Sequence, residues 1–243
     1  MTMFEFEKNV TNLDSFNGLK EKVENIQGVK VEKADEQVKA NEAKAEDTPL
    51  KDVDLVFLLD KSGSMYGAVS DTIGGFNSFI EREREKNPNT RVTCVLFDTE
   101  YNVLYTRKPI TEVAELTKRE YFADGCTALL DAIGTTINRI DRKVDNDVLF
   151  VITTDGLENS SREFSKSDIK NMIANHTWEF LFIGADIDSY SEAYDLGIEE
   201  SHAANYEKSA CGLGALFDSV SDAHDEMTRG VSLESGRWKR RLD

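Results

Sequence analysis

An acid, two hydroxyls and a glycine close the apolar run Asp54-Leu55-Val56-Phe57-Leu58-Leu59-Asp60-Lys61-Ser62-Gly63-Ser64-Met65. The spacing Asp-x-Ser-x-Ser lets one tight turn aim the Asp60 carboxylate and the Ser62 and Ser64 hydroxyls at a single point. Gly63 removes the Cβ that would crowd such a turn. Hard oxygen donors converging in this way suit a hard divalent cation, Mg2+ or Mn2+ before Zn2+. A second apolar run, Val148-Leu149-Phe150-Val151-Ile152-Thr153-Thr154-Asp155-Gly156, also ends in an acid. Two such strands put the Asp60 and Asp155 carboxylates at one edge of a sheet, where they repel unless a cation lies between them.

The elements that must position these residues are readable from periodicity. Leu55 to Leu59 is too short for a membrane span and lacks polar alternation, so it reads as a buried parallel strand with Asp60 at its carboxyl end. Open α/β sheets place their ligand sites there. A helix over residues 67–86 follows, with Val69, Ile73, Phe76 and Ile80 as its buried stripe and Glu81 to Glu85 on its exposed end. Gly74 and Gly75 each cost about 1 kcal/mol inside a helix, and close approach of this helix to the sheet is the expected compensation. Residues 91–97 and 101–107 read as strands joined by a turn at Asp98. So short a connection requires an antiparallel hairpin, and Asp98 reads as a turn former. The spacing predicts a helix over 128–142 with Leu129, Ala132, Ile133, Ile137 and Ile140 as its core stripe. Thr127, at its start, suits an N-cap when taken alone. Ser165 with Asp168 forms a capping box for the next helix. A buried strand over 178–183 ends near Asp186, which is placed to border the site. A short helix near 191–196, a weakly marked strand near 202–206 and a helix over 209–227 complete the alternation, which gives a doubly wound sheet.

The Asp60, Ser62 and Ser64 loop resembles the first loop of the metal-ion-dependent adhesion site of von Willebrand factor type A (VWA) domains. Thr127, in Asp124-Gly125-Cys126-Thr127-Ala128-Leu129-Leu130-Asp131-Ala132-Ile133, is similar to that site's threonine, and Asp155 to its aspartate. The resemblance covers roughly residues 52–227 and is strong because three ordered pieces agree. It implies an α/β fold: a doubly wound open, mostly parallel, Rossmann-like sheet flanked by helices, with one antiparallel edge strand. It also implies that Ser62, Ser64 and Thr127 touch a Mg2+ or Mn2+ ion, while Asp60 and Asp155 mostly hold its waters. Cys126 departs from the small or hydroxyl residue more usual before this threonine. Glu158 and Asn159, after Asp155, are expected to face the site's mouth.

The 243 residues suffice for one such domain plus appendages, and a formal net charge of −17 argues against nucleic acid and anionic membrane surfaces. No stretch is apolar for the roughly 20 residues of a membrane helix, and no basic-then-apolar signal pattern opens the chain. Cys94, Cys126 and Cys211 are widely spaced and read as reduced thiols. A cytoplasmic protein is expected. Residues 1–51 read as a short helix near 13–26 followed by a charged linker, either a docking arm or a solvated extension. Residues 228–243 form a tail whose basic Arg237-Trp238-Lys239-Arg240-Arg241 either pins to an acidic face of its own domain or of a partner, or stays solvated.

The expected function is metal-dependent protein binding, with the ion bridging to an Asp or Glu of a partner. The alternative is a hydrolase or phosphatase-type enzyme using the same ion. Against it, His176, His202 and His224 lie outside all three loops, and Ser62 lacks an evident base.

Overall fold

Strand β1 (Val53–Asp60) is buried along its whole length, as an apolar run without polar alternation requires. The protein is seen here in a computed structural model that describes residues 50–242; the helix expected at 13–26 and most of the linker after it fall outside them. β1 lies near the middle of a six-stranded sheet ordered β3-β2-β1-β4-β5-β6. The other strands are β2 (Arg91–Phe97), β3 (Tyr101–Pro109), β4 (Asp147–Thr154), β5 (Glu179–Gly184) and β6 (Ala203–Asn205). All neighbours run parallel except β2 and β3, which form the antiparallel hairpin expected from their short connection.

Helices cover both faces, and β1 supplies side chains to each by strict alternation. Leu55, Phe57 and Leu59 pack toward α1 (Val69–Lys86) and α5 (Ala210–Thr228). Val56 and Leu58 pack toward α2 (Leu129–Ile140), α3 (Lys166–Ala174) and α4 (Ser189–Asp195). The predicted stripe of α2 is buried at every position, and α3 opens with the full Ser165–Asp168 capping box.

Two expectations for α1 are corrected. Gly75 does admit a close approach, but the neighbour is the Phe217 ring of α5: a Cβ there would lie 2.4 Å from it. Gly74 meets nothing within 4 Å, so close packing does not account for it. Removing the Cβ lets α5 seat Phe217 among Phe57, Phe76 and Phe79, with ring centroids 6.2 to 6.5 Å away. Glu83, expected on the exposed end, is instead fully buried. Its carboxylate meets His224 Nδ1 at 2.7 Å, accepts from Asn87 Nδ2 at 3.0 Å and accepts from the Ser221 hydroxyl. Asp225 lies beside them, and the Lys86 ammonium reaches it at 3.1 Å. With its polar atoms partnered and a lysine balancing its charge, this cluster clamps α1 to α5.

The tail is not a loose terminus. Trp238 is fully buried, and its Nε1–H donates to the Ser201 carbonyl at 2.9 Å. Lys239 donates to the Glu200 and Ala203 carbonyls, each at 2.8 Å, and Arg241 pairs with Asp222 at 2.9 Å. The tail packs on its own domain chiefly through Trp238 and backbone carbonyls, with Arg241 on Asp222 as an acidic contact.

Burial pushes the Glu83 carboxyl up, but the hydrogen bond and charge of His224, with Ser221 and Asn87, hold it below its usual range. Stability from a depressed carboxyl is complete above the ordinary value of 4.5 and is lost as pH falls through the folded value. Glu83→Gln is expected to lower the unfolding free energy at neutral pH by about 3 kcal/mol and to flatten its fall in acid. Urea unfolding across pH checks both, and an unchanged acid limb would assign the loss to other carboxylates.

Candidate metal centre

β1 and β4 are adjacent and in parallel register, with Leu59 opposite Thr153. Their carboxyl ends therefore deliver Asp60 and Asp155 to the same edge, both buried. Asp60 is held at both oxygens: Oδ1 accepts from the Ser62 N–H at 2.7 Å, and Oδ2 accepts from the Thr154 hydroxyl at 2.6 Å. The Ser62 and Ser64 hydroxyls lie 3.1 Å apart, and Ser64 donates to Asp155 Oδ1 at 2.5 Å. Ser62 is buried and Ser64 exposed, so the oxygen set opens to solvent at Ser64.

Thr127 completes the group. A Cβ placed on Gly156 would lie 3.0 Å from Thr127 Oγ1 and 3.7 Å from Ser64 Oγ. The absence of a side chain at Gly156 is what lets the threonine loop approach. The capping alternative is not realised: α2 has no side-chain cap, and its N-cap residue is Ala128. Asn159 instead brackets Thr127, accepting its N–H on Oδ1 at 2.9 Å and donating its own N–H to the Thr127 carbonyl at 3.1 Å. The first and second loops are tied as well, by Gly63 N–H to the Gly125 carbonyl at 3.1 Å and Asp124 N–H to the Lys61 carbonyl at 2.9 Å.

Burial pushes the Asp60 carboxyl above its usual range, against the Thr154 and Ser62 hydrogen bonds, and the Asp155 charge adds to the rise. The Lys208 ammonium, from the loop before α5, answers part of this by meeting Asp155 Oδ2 at 3.0 Å and Asp186 Oδ2 at 2.7 Å. Two buried carboxylates with three hydroxyls are a donor set chemically suited to a hard divalent cation.

The von Willebrand factor type A domain family model matches residues 54–218, which include all of these donors. The chain belongs to this family.

Among curated proteins no sequence match is found. Solved VWA-type structures share the fold at low identity. The vWF domain of the type V pili tip protein Mfa5 from Porphyromonas gingivalis is 13% identical with a TM-score of 0.58, over 74% of this chain and 97% of that one. The pilus adhesin SpaC from Lactobacillus rhamnosus GG is 12% identical with a TM-score of 0.61, over 74% of this chain and 31% of that one. Proximal thread matrix protein 1 from the mussel byssus, with a zinc-occupied MIDAS motif, is 16% identical with a TM-score of 0.53. The match covers 74% of this chain but only 46% of that protein.

Within the VWA site, several supporting residues were not singled out from sequence. Thr154 precedes Asp155 and reads as one more strand residue, yet its hydroxyl orders Asp60. The Tyr121 hydroxyl donates to the Asp60 carbonyl at 2.5 Å from the connection before Thr127. Lys61 is fully buried and paired with Asp98. Its place between Asp60 and Ser62 was the signal available. Asp98 also accepts from the Glu100 N–H at 2.5 Å, as a turn former should. Asp186 borders the site through Lys208, at a positive φ of 57°. Glu158 does not face the mouth. Its carboxylate accepts N–H bonds from Leu130, Ser160 and Ser161 and so fastens the third loop to the start of α2. Cys126 is exposed and Cys94 buried; with Cys211 all three are free thiols.

Lys61→Ala leaves Asp98 buried without its cation and is expected to lower the unfolding free energy by about 3 kcal/mol. The apolar double replacement Lys61→Met with Asp98→Leu should restore most of it. Urea titration measures both, and a single variant as stable as wild type would show that this pair carries no stability.

Proposed function

We propose that this VWA domain is a metal-dependent protein-binding module whose ion, Mg2+ or Mn2+, is held by Asp60, Ser62, Ser64, Thr127 and Asp155. The observation that carries the reading is the convergence of these oxygens from three separate loops, with the Ser62–Ser64–Asp155 contacts at 3.1 and 2.5 Å. When bound, a divalent cation supplies an open coordination position that a partner's Asp or Glu oxygen can fill. Ser62, Ser64 and Thr127 contribute neutral donors, which leaves the charge at that position incompletely neutralised. Asp60 is fixed by Ser62 and Thr154, and Asp155 by Ser64 and Lys208, so the carboxylates are oriented before any ligand arrives.

The byssus protein's zinc-occupied motif supports a divalent site on this fold, while an all-oxygen donor set here favours the harder ions. The pilus tip and adhesin proteins among the similar structures support protein binding over catalysis. So does the placement of the histidines. His202 meets Glu179 at 2.7 Å, His176 meets Asp141 at 3.0 Å and His224 meets Glu83, so none is paired with a serine of the site to act as its base. No helix among the described residues is long and apolar enough to cross a membrane.

Calorimetric titration of Mg2+ and Mn2+ tests the site directly. A lost hydroxyl donor is comparable to a lost hydrogen bond to a charge, so Ser62→Ala and Thr127→Ala should each weaken binding by about tenfold to a hundredfold. Lys208→Met removes a like charge from beside the ion and should tighten binding by about tenfold. Equal affinity in wild type and both alanine variants would refute the assignment.

A further inference from the structure

Large apolar side chains stand out from the surface at few places among the described residues, and three of them stand on the three loops of the metal centre. Tyr66, 81% exposed, follows Ser64 by two residues; Leu157, 55% exposed, follows Asp155 by two; Phe122, 52% exposed, precedes Thr127 on the second loop. Exposed apolar residues scattered singly are ordinary, whereas several gathered at one site mark an interaction surface.

The backbone beneath each is anchored by its neighbours. Tyr66 lies in the short 3-10 turn Gly63–Ala68, whose Met65 and Ala68 are buried. Phe122 follows Tyr121, which is buried and bonded to the Asp60 carbonyl, and its ring lies 4.9 Å from the Lys61 ammonium. Leu157 follows Gly156, which is packed against the Thr127 hydroxyl. The ties between the loops, Gly63 to Gly125 and Asn159 to Thr127, link the backbones that carry them. With the backbones already ordered, covering this surface costs the side-chain freedom alone.

Charge decides what can cover it. The chain carries a formal −17, which repels polyacidic segments, phosphates and nucleic acid at long range. Compensation for a single anionic group exists at the site itself, from the cation proposed there. Affinity beyond one carboxylate must then come from apolar contact.

We propose that Tyr66, Phe122 and Leu157 form a docking surface for a protein segment carrying one Asp or Glu flanked by large apolar side chains, with few further acids nearby. This rests on the metal-centre reading of Asp60, Ser62, Ser64, Thr127 and Asp155. The carboxylate sets the register, and the flanking side chains cover the three loops.

The test is selection of short random peptides displayed on phage against the immobilised full chain in Mg2+, eluted with chelator. It is run in parallel with a triple variant, Tyr66→Ser, Phe122→Ser and Leu157→Ser, whose Mg2+ affinity by calorimetry should match wild type because no donor is changed. Wild type is expected to enrich peptides with one acid and apolar residues on either side. A synthetic peptide of the enriched sequence should bind the triple variant about a hundredfold more weakly, in keeping with loss of several anchor contacts. Acidic peptides without apolar flanks, or equal binding by the triple variant, would overturn the docking surface while leaving the metal centre standing. Binding unaffected by chelator would overturn the metal-dependent reading and the proposal with it. A library with no enrichment at all would overturn the docking surface alone, provided calorimetry still finds the ion.

Discussion

Asp60 and Asp155 are withdrawn from water beside one another, at the ends of adjacent parallel strands, and much of the surrounding architecture compensates for that placement. A buried carboxylate is unfavourable unless its lone pairs are filled and its charge is balanced. Here the filling comes from Ser62, Ser64 and Thr154, and part of the balance from Lys208. The two serines follow β1, Thr154 ends β4 and Lys208 precedes α5, so the site exists only when these three parts of the chain are all in place. A cation of charge two would complete the neutralisation that one shared ammonium begins. Structure and proposed chemistry therefore answer to the same electrostatic demand.

The remote end of the α1–α5 pair faces a similar problem and answers it with side-chain partners. Glu83 and His224 are both fully buried, with Ser221, Asn87 and Lys86 arranged around them. Between the two polar clusters lies a packed aromatic group, Phe57, Phe76, Phe79 and Phe217, with Phe57 in edge contact with its α1 neighbours. The apolar region holds α5 against the sheet. The Glu83 cluster fixes its rotation and register, because an unpaired buried carboxylate would result from any slip.

Much of this was legible in the sequence. An apolar run buried on both faces has no polar alternation, so β1 and β4 announced themselves, and a three-residue connection left the β2–β3 hairpin no alternative. The Asp-x-Ser-x-Ser loop carries its oxygen donors within five residues. Thr127 stands apart from them: a threonine at a helix start is ambiguous until the other loops are considered. What stayed hidden depended on partners far along the chain. Glu83 sits among alternating acids and bases that read as a solvated helix end, and its partner His224 lies 141 residues away. Lys208 offers no local hint that its ammonium reaches Asp155. Gly75 looked like an adaptation to the sheet because nothing nearby in sequence points to Phe217.

The C-terminal tail has a practical consequence for where this domain ends. The family match stops at residue 218, ten residues before the end of α5 at Thr228. Yet Leu233 and Trp238, both beyond the helix, are fully buried in the same core as Phe57 and Phe217. A fragment cut to the recognisable family span would lose half of a helix and a buried indole bonded to the Ser201 carbonyl. Boundaries drawn by resemblance and boundaries drawn by burial thus disagree for this chain. The smallest unit expected to be soluble and cooperative when produced alone is set by Trp238, not by the last residue that looks like a relative.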